Sequence, residues 1–99
     1  MSDQDSAEFV LRLYVAGMTA HSLTAITTVQ NICEKQLQGR CDLQVIDIYK
    51  QPELAKAEQI VAVPTLVRKY PLPLRKFIGD LSQTEKILAG LGIEEKRPK

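Results

Sequence analysis

The sequence predicts one α/β domain whose elements follow the order β-α-β-α-β-β-α. Three observations predict it. An apolar strand pattern at Phe9–Val15 precedes a long helical pattern and a second strand pattern. An apolar run stops at Val63-Pro64-Thr65, and another apolar run follows it. A Gly-Asp turn at residues 79–80 and a helix start then close the pattern. At 99 residues, 44% of them hydrophobic and 25% charged, the chain has the size and composition of one globular domain.

The first three elements form a predicted βαβ unit. Strand Phe9–Val15 carries one charge, Arg12, so both of its faces are expected to be covered. Thr19 or Ser22 caps a helix predicted over residues 20–38, and Gly39 ends it. Its apolar positions recur at helical spacing and are Leu23, Ile26, Val29, Ile32, Cys33 and Leu37. A strand over residues 43–48 completes the unit, which should be parallel and right-handed.

The second half is predicted to hold a short helix, a hairpin and a last helix. Pro52 opens the short helix, over residues 52–59. Strands over residues 65–69 and 75–78 are joined by a connection with two prolines, which forces extended backbone. A capping box at residues 82–85 opens the last helix, which Gly90 and Gly92 weaken. This is the thioredoxin-like topology. The domain is expected to span residues 9–92, between a disordered segment at 1–8 and a charged flexible tail at 93–99.

Composition excludes several classes of function. The net charge of +1 gives no electrostatic case for nucleic acid or an anionic membrane. No apolar run approaches the roughly 18 residues that a membrane span needs. The polar, acidic first eight residues are unlike a signal peptide, so a cytoplasmic location is expected. No phosphate loop, zinc spacing, nucleophile elbow or paired carboxylate motif is present, which predicts no catalytic, cofactor or metal residues.

The chain lacks the residues of thiol chemistry where a thioredoxin enzyme would carry them. Residues 16–22 occupy the place of the active-site loop and contain no cysteine. Cys33 and Cys41 are eight positions apart, which is neither a metal nor a redox spacing, and both are expected to be free thiols. Ser22 is interpreted as a capping residue and His21 as a solvent-facing one. The pattern favours a binding module; a thioredoxin-like redox or glutathione-dependent enzyme stays the alternative.

Five short motifs resemble the KaiB family of clock proteins. They are LYVAG at 13–17, VIDI at 45–48, a Pro-x-Leu-Ala element at 52–55, VPTL at 63–66 and IGDLS at 78–82. The resemblance covers roughly residues 9–92. It implies a non-catalytic regulator without cofactors that binds a KaiC-type hexameric ATPase and modulates its phosphorylation or ATPase cycle. A KaiA-type protein or a sensor histidine kinase are further partners that it leaves open. The output is circadian or stress-related.

The resemblance also implies two folds. The binding-competent monomer is thioredoxin-like, and a resting homotetramer or homodimer has the order βαββααβ. Phe9, Gly90 and Gly92 are the residues expected to tune this switch. Because Gly lowers helix preference by about 1 kcal/mol relative to Ala, Gly90→Ala is expected to favour the thioredoxin-like monomer.

Partner contacts are predicted at two places. One is the edge near Gln44 and Lys50. The other is a basic cluster of Arg68, Lys69, Arg75 and Lys76, of which Arg68 and Arg75 are the predicted contacts. Gln44 and Gly92 stand where the clock proteins commonly have a lysine and an acidic residue. Structural turns are predicted at Pro64, Gly79 and Asp80, with Pro64 at the position of the thioredoxin cis proline and its isomer left open. A sensor domain that recognises the same ATPase ring is the third alternative.

Overall fold

The computed structural model describes residues 9–38, 40–79 and 81–91. The predicted order of elements is confirmed, with a π-helical segment, Ile32–Gln36, directly after the first helix. The elements are β1 Phe9–Val15, α1 Ala20–Asn31, β2 Cys41–Asp47, α2 Pro52–Ala57, β3 Thr65–Tyr70, β4 Arg75–Ile78 and α3 Thr84–Leu91. The predictions for residues 1–8 and 93–99 lie outside the described residues.

One mixed sheet of four strands organises the fold, in the order β2-β1-β3-β4. β1 and β2 pair in parallel, from Phe9 opposite Cys41 to Val15 opposite Asp47, as the βαβ prediction required. β3 pairs antiparallel with both β1 and β4. β2 and β4 are therefore the two edge strands, and β1 and β3 form the centre of the sheet.

Helices cover both faces of the sheet. Leu11, Leu13 and Val15 of β1 pack in the larger apolar core with the buried residues of α1 and α3. Tyr14 faces the other way and forms a smaller core with Ile46 and Val67, against which α2 packs. The strict alternation along β1 produces this arrangement, because successive side chains of a strand point to opposite faces.

The first helix differs from its prediction in two respects. Thr19 is the cap, since its Oγ1 accepts a hydrogen bond from the Ser22 backbone N at 3.2 Å. The buried face runs through Ser22, Ala25 and Val29, whereas Leu23 is 44% exposed, so its assignment to the apolar face was wrong. The α-helix also ends at Asn31 rather than at residue 38, because the π-helical segment replaces its last turn and a half. Gly39 lies outside the described residues.

The elements of the second half are short. α2 ends at Ala57 rather than at residue 59, and none of its residues is fully buried. β3 extends one residue beyond its predicted end, to Tyr70, and β4 is as predicted. α3 begins at Thr84, one residue later than a cap at Ser82 would place its start. Within the described ranges, no helix combines the length and apolar character that a membrane span requires.

Candidate functional site: a groove without thiols and two exposed edges

A groove of about 900 Å³ opens where the loops after β1, β2 and β4 meet the segment before β3. The Val63–Pro64 peptide bond on its wall is cis, which answers the question that the sequence left open. Residues from four parts of the chain line the groove: Ala16, Thr19, His21, Ser22, Thr24, Ala25, Tyr49, Val63, Pro64, Gly79, Leu81 and Ser82. This is the place at which the sequence put the counterpart of a thiol-enzyme active site.

Asp47 joins two of the loops around the groove. Its Oδ1 accepts hydrogen bonds from the backbone N of Gly17 at 3.3 Å and of Tyr49 at 2.9 Å. Gly17 has a φ of +69°, and a Cβ there would lie 3.8 Å from the Tyr49 ring. The left-handed backbone at residue 17 and the bonds of Asp47 therefore hold Tyr49 at the mouth of the groove, where it remains 74% exposed.

The groove has hydroxyl groups but no thiol. Thr19 Oγ1 donates to Ser22 Oγ at 3.0 Å, so both hydroxyls serve the start of α1. His21 is exposed, and the described residues include no group of three or more His, Cys, Asp or Glu side chains that could hold a metal ion. Both cysteines of the chain lie outside the lining. The groove therefore contains no nucleophilic sulfur for disulfide exchange.

Arg68 is placed differently from the other predicted contact residues. Its side chain is 7% exposed, and its guanidinium donates to the backbone O of Leu91 at 3.0 Å and of Pro73 at 2.9 Å. It thus ties the β3–β4 connection to the end of α3. Its Nε is buried without a partner in the described structure. Because its charged end is enclosed, Arg68 holds elements of the second half together and is not exposed to a partner.

The remaining members of the basic cluster separate onto different faces. Lys69 forms an ion pair with Glu58, and the Lys76 amino group donates to the backbone O of Glu58. Both lysines therefore connect the hairpin to the end of α2. Arg75 is exposed, and its side chain has no hydrogen bond or ion pair within the described ranges. Of the four basic residues, it alone is available to a partner there.

The predicted contact residues do not form one surface. Gln44 and Lys50 are exposed at the β2 edge, and Arg75 lies on β4, at the opposite edge of the sheet. Each edge has exposed apolar side chains that the sequence reasoning missed. We define the β2 edge surface as Gln44, Val45, Tyr49 and Lys50, and the hairpin surface as Tyr70, Leu72, Leu74, Arg75 and Ile78. Tyr49 and Leu72 are each 74% exposed. An aromatic residue in the polar Tyr49-Lys50-Gln51 turn was the available signal.

The predicted switch residues have distinct environments. Phe9 packs at the margin of the larger core, and its backbone N donates to Arg40 O at 3.2 Å. Gly90 lies against Phe77, and a Cβ at position 90 would overlap that ring. Gly79 adopts a φ of +112°, which suits the turn predicted there. Gly92, predicted as a switch residue, and Asp80, predicted as a turn residue, lie outside the described residues.

Two titratable features were not visible from sequence spacing. The Sγ atoms of Cys33 and Cys41 lie 2.7 Å apart, although the spacing of eight residues had indicated no redox pair. Both cysteines are free thiols. Burial raises the pKa of the Tyr14 phenol, and the carboxylate of Glu58 raises it further.

Comparison with known protein families gives a specific match. The KaiB domain model matches residues 12–93. The circadian clock oscillator protein KaiB of Synechococcus elongatus is 49% identical over 85 residues, which cover 86% of this chain and 83% of the relative. The protein of the same name from Microcystis aeruginosa is 51% identical over 85 residues, covering 86% and 82%.

Solved structures give the same fold. The N-terminal domain of Synechococcus elongatus SasA is similar with a TM-score of 0.67 and 27% identity, covering 84% of this chain and 78% of that domain. Mitochondrial thioredoxin 3 from Saccharomyces cerevisiae gives a TM-score of 0.69 at 17% identity, covering 90% and 81%. The thioredoxin similarity concerns the fold alone, since the groove of this chain lacks cysteine.

Proposed function

The chain belongs to the KaiB family, and on this premise we propose that it binds a KaiC-type hexameric ATPase in the cytoplasm and modulates the phosphorylation or ATPase cycle of that partner. The family has a regulatory clock role, and the chain is not an enzyme. The observation that carries the proposal is the family match, which extends over residues 12–93 and so includes both edges of the sheet. The output, circadian or stress-related, and the KaiA-type and histidine-kinase partners stay predictions.

We propose the β2 edge surface as the first contact with the ATPase. β2 pairs with β1 on one side only, so its other side presents backbone groups to a partner. Val45 and Tyr49 add apolar area, and Lys50 adds a positive charge. Exposed aromatic side chains held in place are common anchors of protein interfaces. Asp47 fixes the backbone at Tyr49, so little conformational freedom is lost there on binding.

Arg75 is proposed as a second contact, which acts through charge. It lies on the hairpin surface among exposed apolar residues and has no ion pair within the described residues to give up. An exposed charge of this kind changes the association rate more than the dissociation rate. Because the two contacts lie at opposite edges of one sheet, they imply either one partner that contacts both edges or two partner subunits.

We also propose that the second half rearranges in a resting oligomer with the order βαββααβ, as the KaiB resemblance implies. Three features of the thioredoxin-like form support this. α2 buries no residue fully, β4 has four residues, and Gln59 directly beyond α2 adopts a φ of +58°. Left-handed backbone at a non-glycine residue carries a free-energy cost of about 1 kcal/mol. We therefore infer that the free energies of the thioredoxin-like second half and of an alternative arrangement differ by only a few kcal/mol.

Association kinetics with a KaiC-type ATPase from the same organism, in the presence of ATP, test both contacts. Tyr49→Ala should weaken affinity by about 10-fold or more, as loss of an interface anchor costs about 2 kcal/mol. Arg75→Glu should slow association at low salt and approach the wild-type rate at high salt. Lys35→Glu, an exposed charge reversal on the π-helical segment, is the matched control and should leave the rate unchanged.

Two results would contradict the proposed contacts. Wild-type affinity in Tyr49→Ala would remove the β2 edge surface from the interface. Equal slowing by Arg75→Glu and Lys35→Glu would show a general effect of net charge rather than a contact at the hairpin surface. Failure of the wild-type chain to bind at all would contradict the proposed function itself.

A further inference from the structure

We propose that Cys33 and Cys41 are a modification site: a dithiol that a hydroperoxide oxidises to an intramolecular disulfide. Neither cysteine lines the groove, and the proposed binding function uses neither of them. Their Sγ atoms are in contact at 2.7 Å, and both are free thiols. They are the only two cysteines of the chain, so each has one intramolecular partner.

Backbone hydrogen bonds position the two segments that contain Cys33 and Cys41. Cys33 lies in the π-helical segment, whose end is fixed by a hydrogen bond from Leu37 N to Ile32 O at 3.1 Å. Arg40 N then donates to Leu37 O at 2.9 Å, and Cys41 begins β2 opposite Phe9. π-Helical turns are rare and occur often at functional sites. Cys33 therefore lies on a hydrogen-bonded helical turn, and Cys41 on the first residue of a paired strand.

The environments of the two thiols differ in a way that assigns them roles. The hydrogen bond between the two thiols lowers the pKa of Cys33, although burial acts in the opposite direction. The same bond raises the pKa of Cys41, and burial raises it further. Cys33 is 8% exposed, and Cys41 is half-buried. Cys33 is thus the thiol that ionises first and reacts with the hydroperoxide. Cys41 then attacks the oxidised sulfur of Cys33.

Oxidation proceeds in two balanced steps. The Cys33 thiolate attacks one oxygen of the hydroperoxide, an S–O bond forms, the O–O bond breaks, and the leaving oxygen takes up a proton as water or alcohol. Cys41 then attacks the sulfur of the resulting sulfenic acid; the S–S bond forms, the S–O bond breaks, and the hydroxide leaves with the Cys41 proton as water. One hydroperoxide is reduced by two electrons, and two thiols become one disulfide.

The bond would link the first turn of the π-helical segment to the first residue of the edge strand β2. It closes a short loop, residues 33–41, and restricts the unfolded chain more than the folded one. A rise in Tm is the expected consequence. The Cys–Cys bond lies within the first half of the domain and at the far end of β2 from Lys50, so the proposal is independent of where the ATPase binds.

The test uses the full chain, reduced and then treated with hydrogen peroxide. After unfolding and alkylation of free thiols, intact mass should show an unalkylated monomer that is lighter than the reduced chain by two hydrogen atoms. Dithiothreitol should restore two alkylatable thiols. The oxidised monomer should have a Tm several degrees above the reduced one. Cys41→Ser should instead accumulate a sulfenic acid at Cys33 that dimedone traps, because the resolving thiol is missing.

Two controls keep the proposal open to refutation. Cys33→Ser should retain one thiol that reacts slowly with peroxide and does not bind dimedone. Circular dichroism of each variant establishes that it is folded, and Cys33→Ala serves if Cys33→Ser is not. A wild-type chain that keeps both thiols under peroxide, or that oxidises each to sulfinic acid at the rates of the single variants, would overturn the proposal. A product that is only an intermolecular dimer would overturn it as well.

Discussion

The two halves of the domain share one apolar core but differ in α2, in β4 and in the polar contacts between their elements. In the first half, residues 9–47, two seven-residue strands pair in parallel and α1 buries a continuous apolar face on them. In the second half, residues 52–91, α2 has no fully buried residue and β4 has four residues. Polar ties from Arg68, Lys69 and Lys76 join its elements there.

The difference supports the proposal that the first half is a fixed framework and that the second half rearranges. Burial of apolar area is non-directional and spread over many contacts, so the first half responds to a single change mainly in stability. Hydrogen bonds to defined carbonyls are local, and each one from a charged group contributes about 1.5–3 kcal/mol. A few substitutions in the second half should therefore alter its arrangement, while the first half persists.

The largest expected effect is on the free energy of unfolding, and it is measured by substituting one leucine in each half. Leu13 of β1 has no exposed area, so Leu13→Ala should lower the free energy of unfolding by about 4 kcal/mol, through lost burial and a cavity. Leu54 of α2 is half-buried, so Leu54→Ala should cost about 1 kcal/mol. Urea unfolding followed by circular dichroism measures both. Equal losses would contradict the contrast between the halves.

The next effect concerns Arg68. Arg68→Ala removes two hydrogen bonds from a charged group to the carbonyls of Leu91 and Pro73, and it should cost about 3 kcal/mol. Arg75 stands opposite Arg68 in the sheet but is exposed, so Arg75→Ala is the matched control and should change stability by less than about 0.5 kcal/mol. If both variants have wild-type stability, Arg68 does not hold the hairpin to α3.

Gly90→Ala should change the stability of the thioredoxin-like form by a smaller amount. The expected direction is opposite to the one predicted from helix preference alone. The added methyl gains about 1 kcal/mol of helix propensity, but it must displace the Phe77 ring, and such overpacking costs about 1–3 kcal/mol. We therefore expect Gly90→Ala to destabilise the thioredoxin-like form by about 1 kcal/mol net. Phe77→Leu in the same chain should relieve the cost. NMR spectra of the single and double variants would show the thioredoxin-like population, and an increase in Gly90→Ala alone would contradict the role of Phe77.

The smallest effect is a pH dependence from Tyr14. Its folded-state pKa is raised by burial, so above the unfolded value of about 10 the unfolded chain loses its proton first, and stability falls as pH rises. Tyr14→Phe should lose less stability than the wild type between about pH 8 and about pH 11. Identical pH profiles of Tyr14→Phe and the wild type would contradict the assignment.

The sequence predicted the order of elements because each regular pattern is local. Alternation along β1 identified both faces of the strand. Of the three buried residues of α1, the apolar spacing identified only Val29, while the buried residues Ile32 and Cys33 that it also identified lie in the π-helical segment. Leu23 was misplaced because a helix face of small residues, Ser22 and Ala25, fits more closely against the sheet than a leucine would. The end of α1 was misplaced because backbone bonds of the turn after it select a π-helical register.

The site was predicted less completely. Arg68 and Arg75 were grouped as contacts because both are basic and stand close in the sequence. They lie opposite each other in the sheet, but Arg68 is on the central strand β3, where its side chain is buried, and Arg75 is on the edge strand β4. Which strand is central depends on pairing between distant parts of the chain. The contact between Cys33 and Cys41 depends on the path of the turn between α1 and β2, which spacing alone does not define. The exposure of Tyr49 depends on the bonds of Asp47.

The ATP hydrolysis rate of a KaiC-type ATPase from the same organism, measured with increasing amounts of this chain, tests the central claim most directly. A bound regulator should change the rate and reach a plateau as the sites of the ring fill, and sedimentation should show the complex at the same ratio. A rate that stays constant at a large excess of the chain, with no complex in the centrifuge, would contradict the account.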